Sequence, residues 1–265
     1  MYKLPSILLV GCGHIGRAML NGWLNQKLAP SVIVHRYPLT LPHPHIQVEA
    51  INDIPLKFQP DIILLATKPQ QAKENISLIK PWIKNSIVIS ILGGKTLSWL
   101  QKQLPPTTSL IRAVPNIASE LTLGMTIAVA NNFVQPIQKQ TVTHLFEAIG
   151  KIIWLDSEEK IDLATAISGC GPAYIFLLTE LLQNISTQKG LPENLAKILA
   201  RQTVIGSAAL LAHSTEEAET LRKTVTTPQG ITEKAIEILN DPHEWPDSLA
   251  RALQAAINRS KEMIS

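Results

Sequence analysis

Gly11, Gly13 and Gly16 stand in the spacing G-x-G-x-x-G, directly after the apolar run Ile7-Leu-Leu-Val10 and directly before a stretch with helical propensity at 14–27. That arrangement constrains the fold more than any other feature of the chain. The first glycine allows a tight turn, the second lets the backbone come close to a pyrophosphate, and the third lets the helix pack tightly on the strand. The helix start at His14 and Ile15 would then offer unpaired N–H groups and the positive end of its dipole to the phosphates. Strand, turn and helix in this order point to a dinucleotide-binding α/β unit.

The rest of the front half agrees. Strand-like runs fall at 7–10, 32–35, 62–66, 87–91, 109–114, 125–130 and 151–155, with helical spacing or propensity at 14–27, 70–79, 97–103 and 136–149. The run Ile-Ile-Leu-Leu-Ala at 62–66 is apolar on both faces, as a parallel sheet flanked by helices requires. The Pro-rich stretch 37–44 reads as a surface loop. From residue 157 the pattern becomes helical, with Tyr174, Leu177, Leu178, Leu181, Leu182 and Ile185 at three- and four-residue steps. The expected fold is therefore α/β: an N-terminal Rossmann-type dinucleotide-binding domain over 1–156, then an all-α domain over 157–265. The helices carry more aliphatic positions than a thin bundle obviously buries. This favours a homodimer or higher homo-oligomer through the helical domain, with a compact monomeric bundle as the alternative.

Composition narrows the partners. Of 265 residues, 45% are hydrophobic, enough for a core in two domains. No apolar run approaches the roughly 20 residues that span a bilayer, and the N-terminal residues lack the pattern of a secretory signal. No membrane partner and a cytoplasmic location are expected. Residues 1–156 hold 14 Lys and Arg against 7 Asp and Glu, and 157–265 hold 10 against 14. A basic front half suits a small anionic ligand, with scattered solvated charge as the alternative; without a Lys/Arg-rich run it does not suggest nucleic acid. Cys12 and Cys170 form no zinc or disulfide pattern, and His43 and His45 read as solvated loop residues, so no metal is expected.

The second strand chooses the dinucleotide. An NAD-preferring site ends this strand with an acid for the ribose 2′-OH, whereas this chain reads Val-Ile-Val-His35-Arg36. No carboxylate repels a 2′-phosphate, and the Arg36 guanidinium is shaped to pair with one. NADP(H) is preferred, with NAD(H) second. His14 and His35 sit where a phosphate or adenine would lie, not where a catalytic base is needed.

Taken together, Gly11–Gly16, Leu65-Ala-Thr-Lys-Pro-Gln70, Arg112-Ala-Val-Pro-Asn116, Ser168-Gly-Cys-Gly-Pro-Ala-Tyr174 and Val225-Thr-Thr-Pro-Gln-Gly-Ile-Thr232 resemble, in this order, the motifs of the pyrroline-5-carboxylate reductases. The resemblance spans almost the whole chain. It implies NADPH-dependent reduction of 1-pyrroline-5-carboxylate to L-proline, the last step of proline biosynthesis. The alternatives are a related NADPH imine reductase with another small-molecule substrate and a catalytically silent NADPH-binding homologue.

By the same resemblance Ala66, Thr67, Lys68, Pro69, Gly93, Asn116 and Asn52 border the cofactor. A plain strand-to-helix turn is the other account of Gly93 and Gly94. Ser168, Gly169 and Cys170 form a bend beside the substrate, where Cys170 replaces the family's serine and has no nucleophilic task in hydride transfer to an imine. Thr227, Gln229, Gly230, Ile231 and Thr232 belong to a loop that holds the substrate carboxylate, and Thr232 is the residue placed beside the ring nitrogen. An N-cap role for Thr232 is compatible with that. Gln229 and Ile231 depart from the family's Pro-Gly-Gly-Thr/Ala-Thr; if the first Gly must adopt positive φ, Gln229 disturbs it.

Overall fold

The computed structural model describes residues 4–263. Contacts divide the chain into two compact units, residues 1–170 together with 256–265, and residues 171–255.

The first unit is built on one eight-stranded sheet. Its strands are β1 (Ile7–Val10), β2 (Val32–Val34), β3 (Ile46–Val48), β4 (Ile62–Leu65), β5 (Ile87–Ser90), β6 (Leu110–Val114), β7 (Gly124–Ala130) and β8 (Gly150–Trp154), in the order β3-β2-β1-β4-β5-β6-β7-β8. All neighbours pair in parallel except β6 and β7, where Ile111 faces Ala130 and Val114 faces Ile127 in antiparallel register. The strands β1, β4 and β5 are buried along their whole length, which explains their apolar character, broken only by Ser90 at the end of β5.

Five helices cover the sheet or follow it: α1 (His14–Asn25), α2 (Ala72–Ile79), α3 (Leu97–Gln103), α4 (Pro136–Glu147) and α5 (Ile161–Ser168). Local signals set their starts. Thr96 accepts the Trp99 N–H at the head of α3, and Pro136 opens α4 where no N–H is needed. Trp23 of α1 is fully buried, donates its indole N–H to the Leu145 carbonyl at 2.8 Å and meets Phe146 edge-on at 6.1 Å between ring centres. That pair ties α1 to α4 and fixes the angle at which α1 leaves the Gly-rich turn.

Strand order reverses between β1 and β4. The chain grows outward through β2 and β3 on one side and through β5 to β8 on the other, so the turns after β1 and β4 border a crevice at the carboxyl edge of the sheet. Ligands of open α/β sheets collect at such a switch point.

The second unit contains α6 (Gly171–Gln188), α7 (Glu193–His213), α8 (Ala218–Thr224), α9 (Ile231–Leu239) and most of α10 (Trp245–Glu262). The helices α6 and α7 pack on one another, yet α6 buries no residue and α7 buries only Ala196 and Ala200. Phe176, Leu177, Ile198, Ile205 and Leu210 are each more than half exposed.

Three features were not read from the sequence. Strand β3 lies just beyond the Pro-rich loop, at a position where no strand was expected. It has three residues with polar Gln47 at its centre, so propensity alone does not reveal it, and its pairing with β2 supplies the order. By contacts the compact units divide at 170/171, because α5 packs on β7 and stays with the sheet. Lastly, 158–188 and 193–213 are long and apolar enough to cross a membrane by length and composition. Scattered Thr, Ser and Gln interrupt the apolar run in both segments while their mean hydropathy stays high.

Candidate dinucleotide and substrate site

The cleft at the switch point lies within the first unit. It has a volume of about 520 Å³ and is lined by the Gly-rich turn and the start of α1 (Gly13, His14, Ile15, Gly16), by the end of β4 (Ala66, Thr67) and by Asn116, Gly169 and Cys170. Gly11 supports it from behind, with φ at 91° and its N–H on the Val34 carbonyl at 3.0 Å. A Cβ on Gly11 would come within 2.7 Å of the Ala66 carbonyl oxygen, and one on Gly16 within 3.1 Å of the Gly11 carbonyl oxygen. Gly13 differs: a Cβ there meets nothing within 4 Å. It is the N-cap of α1 and faces open space, so the backbone leaves room that a side chain would fill. Free N–H groups at a helix start, an open glycine and a crevice at the strand ends fit a pyrophosphate.

His35 and Arg36 follow β2 directly. The Arg36 side chain is exposed. The local chain is held by Gln47, whose Nε2 donates to the carbonyls of His35 and Tyr37 at 2.8 Å each, while its Oε1 accepts the Leu39 N–H at 2.8 Å. Gln47 carried no motif and was missed by sequence reasoning. Burial, with the Arg17 guanidinium adding to it, pushes the His35 pKa down. Burial pushes the Cys12 thiol up, and Arg17 partly offsets this.

Thr67 accepts a bond from Asn75 at 3.0 Å, and exposed Lys68 leads into a short 3-10 turn at Pro69–Gln71. Asn52, Lys68, Pro69 and Gly93 do not line the cleft. Asn52 is exposed in the 3-10 turn Ile51–Asp53. In the turn after β5 it is Gly94 that has positive φ, 71°, and a Cβ there would collide with the backbone of Met263.

Asn116 is 8% exposed and spends its amide on two backbone groups. Nδ2 donates to the Ser168 carbonyl at 3.0 Å, and Oδ1 accepts the Met125 N–H at 3.1 Å. The first bond follows from Pro172: the residue four places after Ser168 has no N–H, which leaves the Ser168 carbonyl free for Asn116. Thr165 also lines the cleft, and its carbonyl accepts both Gly169 N–H at 2.8 Å and Cys170 N–H at 3.1 Å. The expected sharp bend is thus a two-residue interruption with Gly169 in right-handed helical conformation, φ −75°. The Ser168 hydroxyl donates to the Ala164 carbonyl at 3.1 Å. Two residues before Val114, the buried Arg112 pairs with Glu158 at 2.8 Å, and Glu158 also accepts the Leu97 N–H at 2.9 Å.

The loop at 227–232 lies in the second unit. The Gly230 N–H donates to the Thr227 carbonyl at 2.9 Å, and Gln229 has φ 59°, so Pro228 and Gln229 form the corner of a type II turn. The position where the family has glycine therefore does require the left-handed conformation, and Gln229 adopts it. Gly230, not Thr232, is the N-cap of α9; a Cβ on it would collide with the Thr227 hydroxyl. Ile231 and Thr232 are the first two helical residues, both exposed, Ile231 at 94%. A side chain in the left-handed region costs roughly 1–2 kcal/mol, partly offset by glycine's greater entropy loss on folding. Gln229→Gly is accordingly expected to raise stability by about 0.5–1 kcal/mol, read as a higher denaturant midpoint at unchanged slope. A lower midpoint would show that the strain is not there.

Among the described residues no group of three or more His, Cys, Asp or Glu could hold a metal ion. His45 is half-buried, and its Nδ1 is enclosed with no hydrogen-bond partner, so it is not the solvated loop residue expected. Burial lowers its pKa.

A parallel sheet with a glycine-lined cleft at its switch point and an appended helical unit defines a dinucleotide-binding oxidoreductase fold. Residues 6–94 match the family model described as NADP oxidoreductase, coenzyme F420-dependent, and residues 158–263 match that described as pyrroline-5-carboxylate reductase dimerisation. The pyrroline-5-carboxylate reductase of Vibrio alginolyticus is 31% identical over 97% of each chain, and that of Synechocystis 31% identical over 96% of this chain and 97% of its own. The solved pyrroline-5-carboxylate reductase of Coxiella burnetii superposes with a TM-score of 0.88 at 31% identity over 99% of this chain and all of that one. The Plasmodium falciparum pyrroline carboxylate reductase, solved with NADP bound, gives 0.85 at 27% identity over the full length of both. The chain belongs to the pyrroline-5-carboxylate reductase family.

Proposed function

We propose that this chain is a cytoplasmic NADPH-dependent pyrroline-5-carboxylate reductase that converts 1-pyrroline-5-carboxylate to L-proline. The observation that carries this reading is the Gly13 cleft at the sheet's switch point, in a chain that matches reductases of this name along nearly its whole length. NADPH, when bound, supplies the hydride to the ring carbon of the C=N bond; the nitrogen takes a proton, and the product is a secondary amine. An imine already protonated on nitrogen accepts hydride readily, so the protein's main tasks are binding and orientation within the roughly 3–3.5 Å that hydride transfer needs.

The roles divide as follows. The start of α1 holds the pyrophosphate and Arg36 the 2′-phosphate. Asn116 fixes the backbone of the cleft wall through Ser168 and Met125. The turn at 227–230 and the first N–H groups of α9, which by helix geometry have no intrahelical acceptor, take the substrate carboxylate. The Thr232 hydroxyl serves the ring nitrogen.

Thr232→Ala tests the last role. It should lower kcat about tenfold, the value of one hydrogen bond to a charged group, with the NADPH dissociation constant unchanged. An unchanged kcat would remove Thr232 from the chemistry. The exposed apolar faces of α6 and α7 are read as the surface on which a second copy of the chain packs, forming a homodimer or higher homo-oligomer, in keeping with the dimerisation model that covers them.

A further inference from the structure

The motif that identifies the 227–232 loop stops at Thr232, but the structure places one more side chain in it. Glu233 is the third residue of α9, and its Oε2 accepts the Gln229 N–H at 2.8 Å. We propose that Glu233 is a positioning residue that holds this turn in its acid-binding form, an inference that rests on the proposed function of the loop. Three observations carry it. Gln229 occupies the left-handed region, φ 59°, which a residue with a side chain leaves unless its surroundings hold it there. The turn closes on Gly230, whose N–H bonds the Thr227 carbonyl and on which a Cβ would collide with Thr227. Among the described residues, the side-chain bond to the strained residue's backbone comes from Glu233, one helical turn ahead. A capping-box acid would bond the N-cap itself; this one reaches one residue further back, to the residue under strain.

The consequence is a division of donors at the start of α9. Glu233 takes the Gln229 N–H, and Thr227 takes that of Gly230. The N–H groups of Ile231 and Thr232, which have no intrahelical acceptor, are then left for an incoming carboxylate. A chain with glycine at 229 would need no such tether, because glycine reaches positive φ without strain. Glu233 thus compensates for Gln229, the departure from the family pattern that most threatened the substrate site.

The test uses Glu233→Ala and Glu233→Gln, each in the parent and in Gln229→Gly. Losing a charged hydrogen bond that preorganises a binding loop should raise the KM for pyrroline-5-carboxylate about tenfold in Glu233→Ala, while kcat and the KM for NADPH stay near the parent values. Glu233→Gln should remain within about twofold, since an amide oxygen accepts the same bond. In the Gln229→Gly background, Glu233→Ala should cost no more than about twofold, because the turn no longer needs holding. An unchanged KM in Glu233→Ala, an equal loss in Glu233→Gln, or an undiminished loss in the glycine background would each overturn the assignment. If the parent turns over no pyrroline-5-carboxylate, the reaction itself is wrong, and hydrogen exchange decides the tether. Faster exchange of the Gln229 amide in Glu233→Ala than in Glu233→Gln supports it; equal exchange refutes it.

Discussion

Gly13→Ala is expected to fold with the parent's stability and to bind NADPH about 100-fold more weakly, the equivalent of losing two charged hydrogen bonds. The two halves of this result come from one geometric fact. A Cβ on Gly13 meets no protein atom within 4 Å, and the backbone there has φ −74°, which alanine accepts. Nothing in the folded chain therefore objects to the methyl group. The only thing it displaces is whatever lies against the N-terminus of α1, and on this account that is the pyrophosphate.

Gly11 is the control. With φ 91° and a Cβ 2.7 Å from both the Ala66 carbonyl oxygen and Thr67 Cγ2, Gly11→Ala must lose stability along with binding. Stability would be read by thermal denaturation and affinity by titration calorimetry. Unchanged NADPH affinity in folded Gly13→Ala would show that the cofactor does not approach this turn.

Arg36→Ala should weaken NADPH binding about 10- to 100-fold, the value of a bidentate or single charged hydrogen bond to phosphate, and leave NADH binding within about twofold. The residues from Ile33 to Pro38 include no carboxylate, so nothing there replaces the lost cation or favours a free 2′-OH. Burial and Arg17 hold the His35 pKa down, which disfavours a second cation beside Arg36. Gln47 keeps the backbone under Arg36 in place whether or not the guanidinium is present. Binding measured for both cofactors decides the matter: equal losses would mean that Arg36 acts on the fold of the loop and not on the 2′-phosphate.

What could be read in the sequence depended on whether the cause was local. Strands β1, β4 and β5 lie in the sheet centre, and their buried faces force an apolar run that needs no context to recognise. The Gly-rich turn is equally self-announcing, because three glycines at fixed spacing have three separate steric reasons. Strand β3 has no such signature, since three residues at a sheet edge are ordered by a neighbour and not by their own propensity.

The antiparallel step from β6 to β7 was likewise invisible, because an apolar run does not state its direction. At the site, the need for positive φ at 229 was legible from the family's glycine, whereas Glu233 was hidden as an ordinary first-turn acid. Thr165 and Gln47 act through backbone atoms or loop carbonyls brought near by folding, and no residue-type pattern marks them. The interruption at 169–170 was overread: two glycines and a proline permit a sharp bend, but the chain uses the missing Pro172 N–H to free the Ser168 carbonyl for Asn116.

The account rests on hydride passing from NADPH to a carboxylated cyclic imine. Purified protein supplied with NADPH and 1-pyrroline-5-carboxylate should form one L-proline for each NADPH consumed, faster than with NADH and faster than with a cyclic imine lacking the carboxylate. Tight NADPH binding without proline formation, or equal turnover of the uncarboxylated ring, would contradict it.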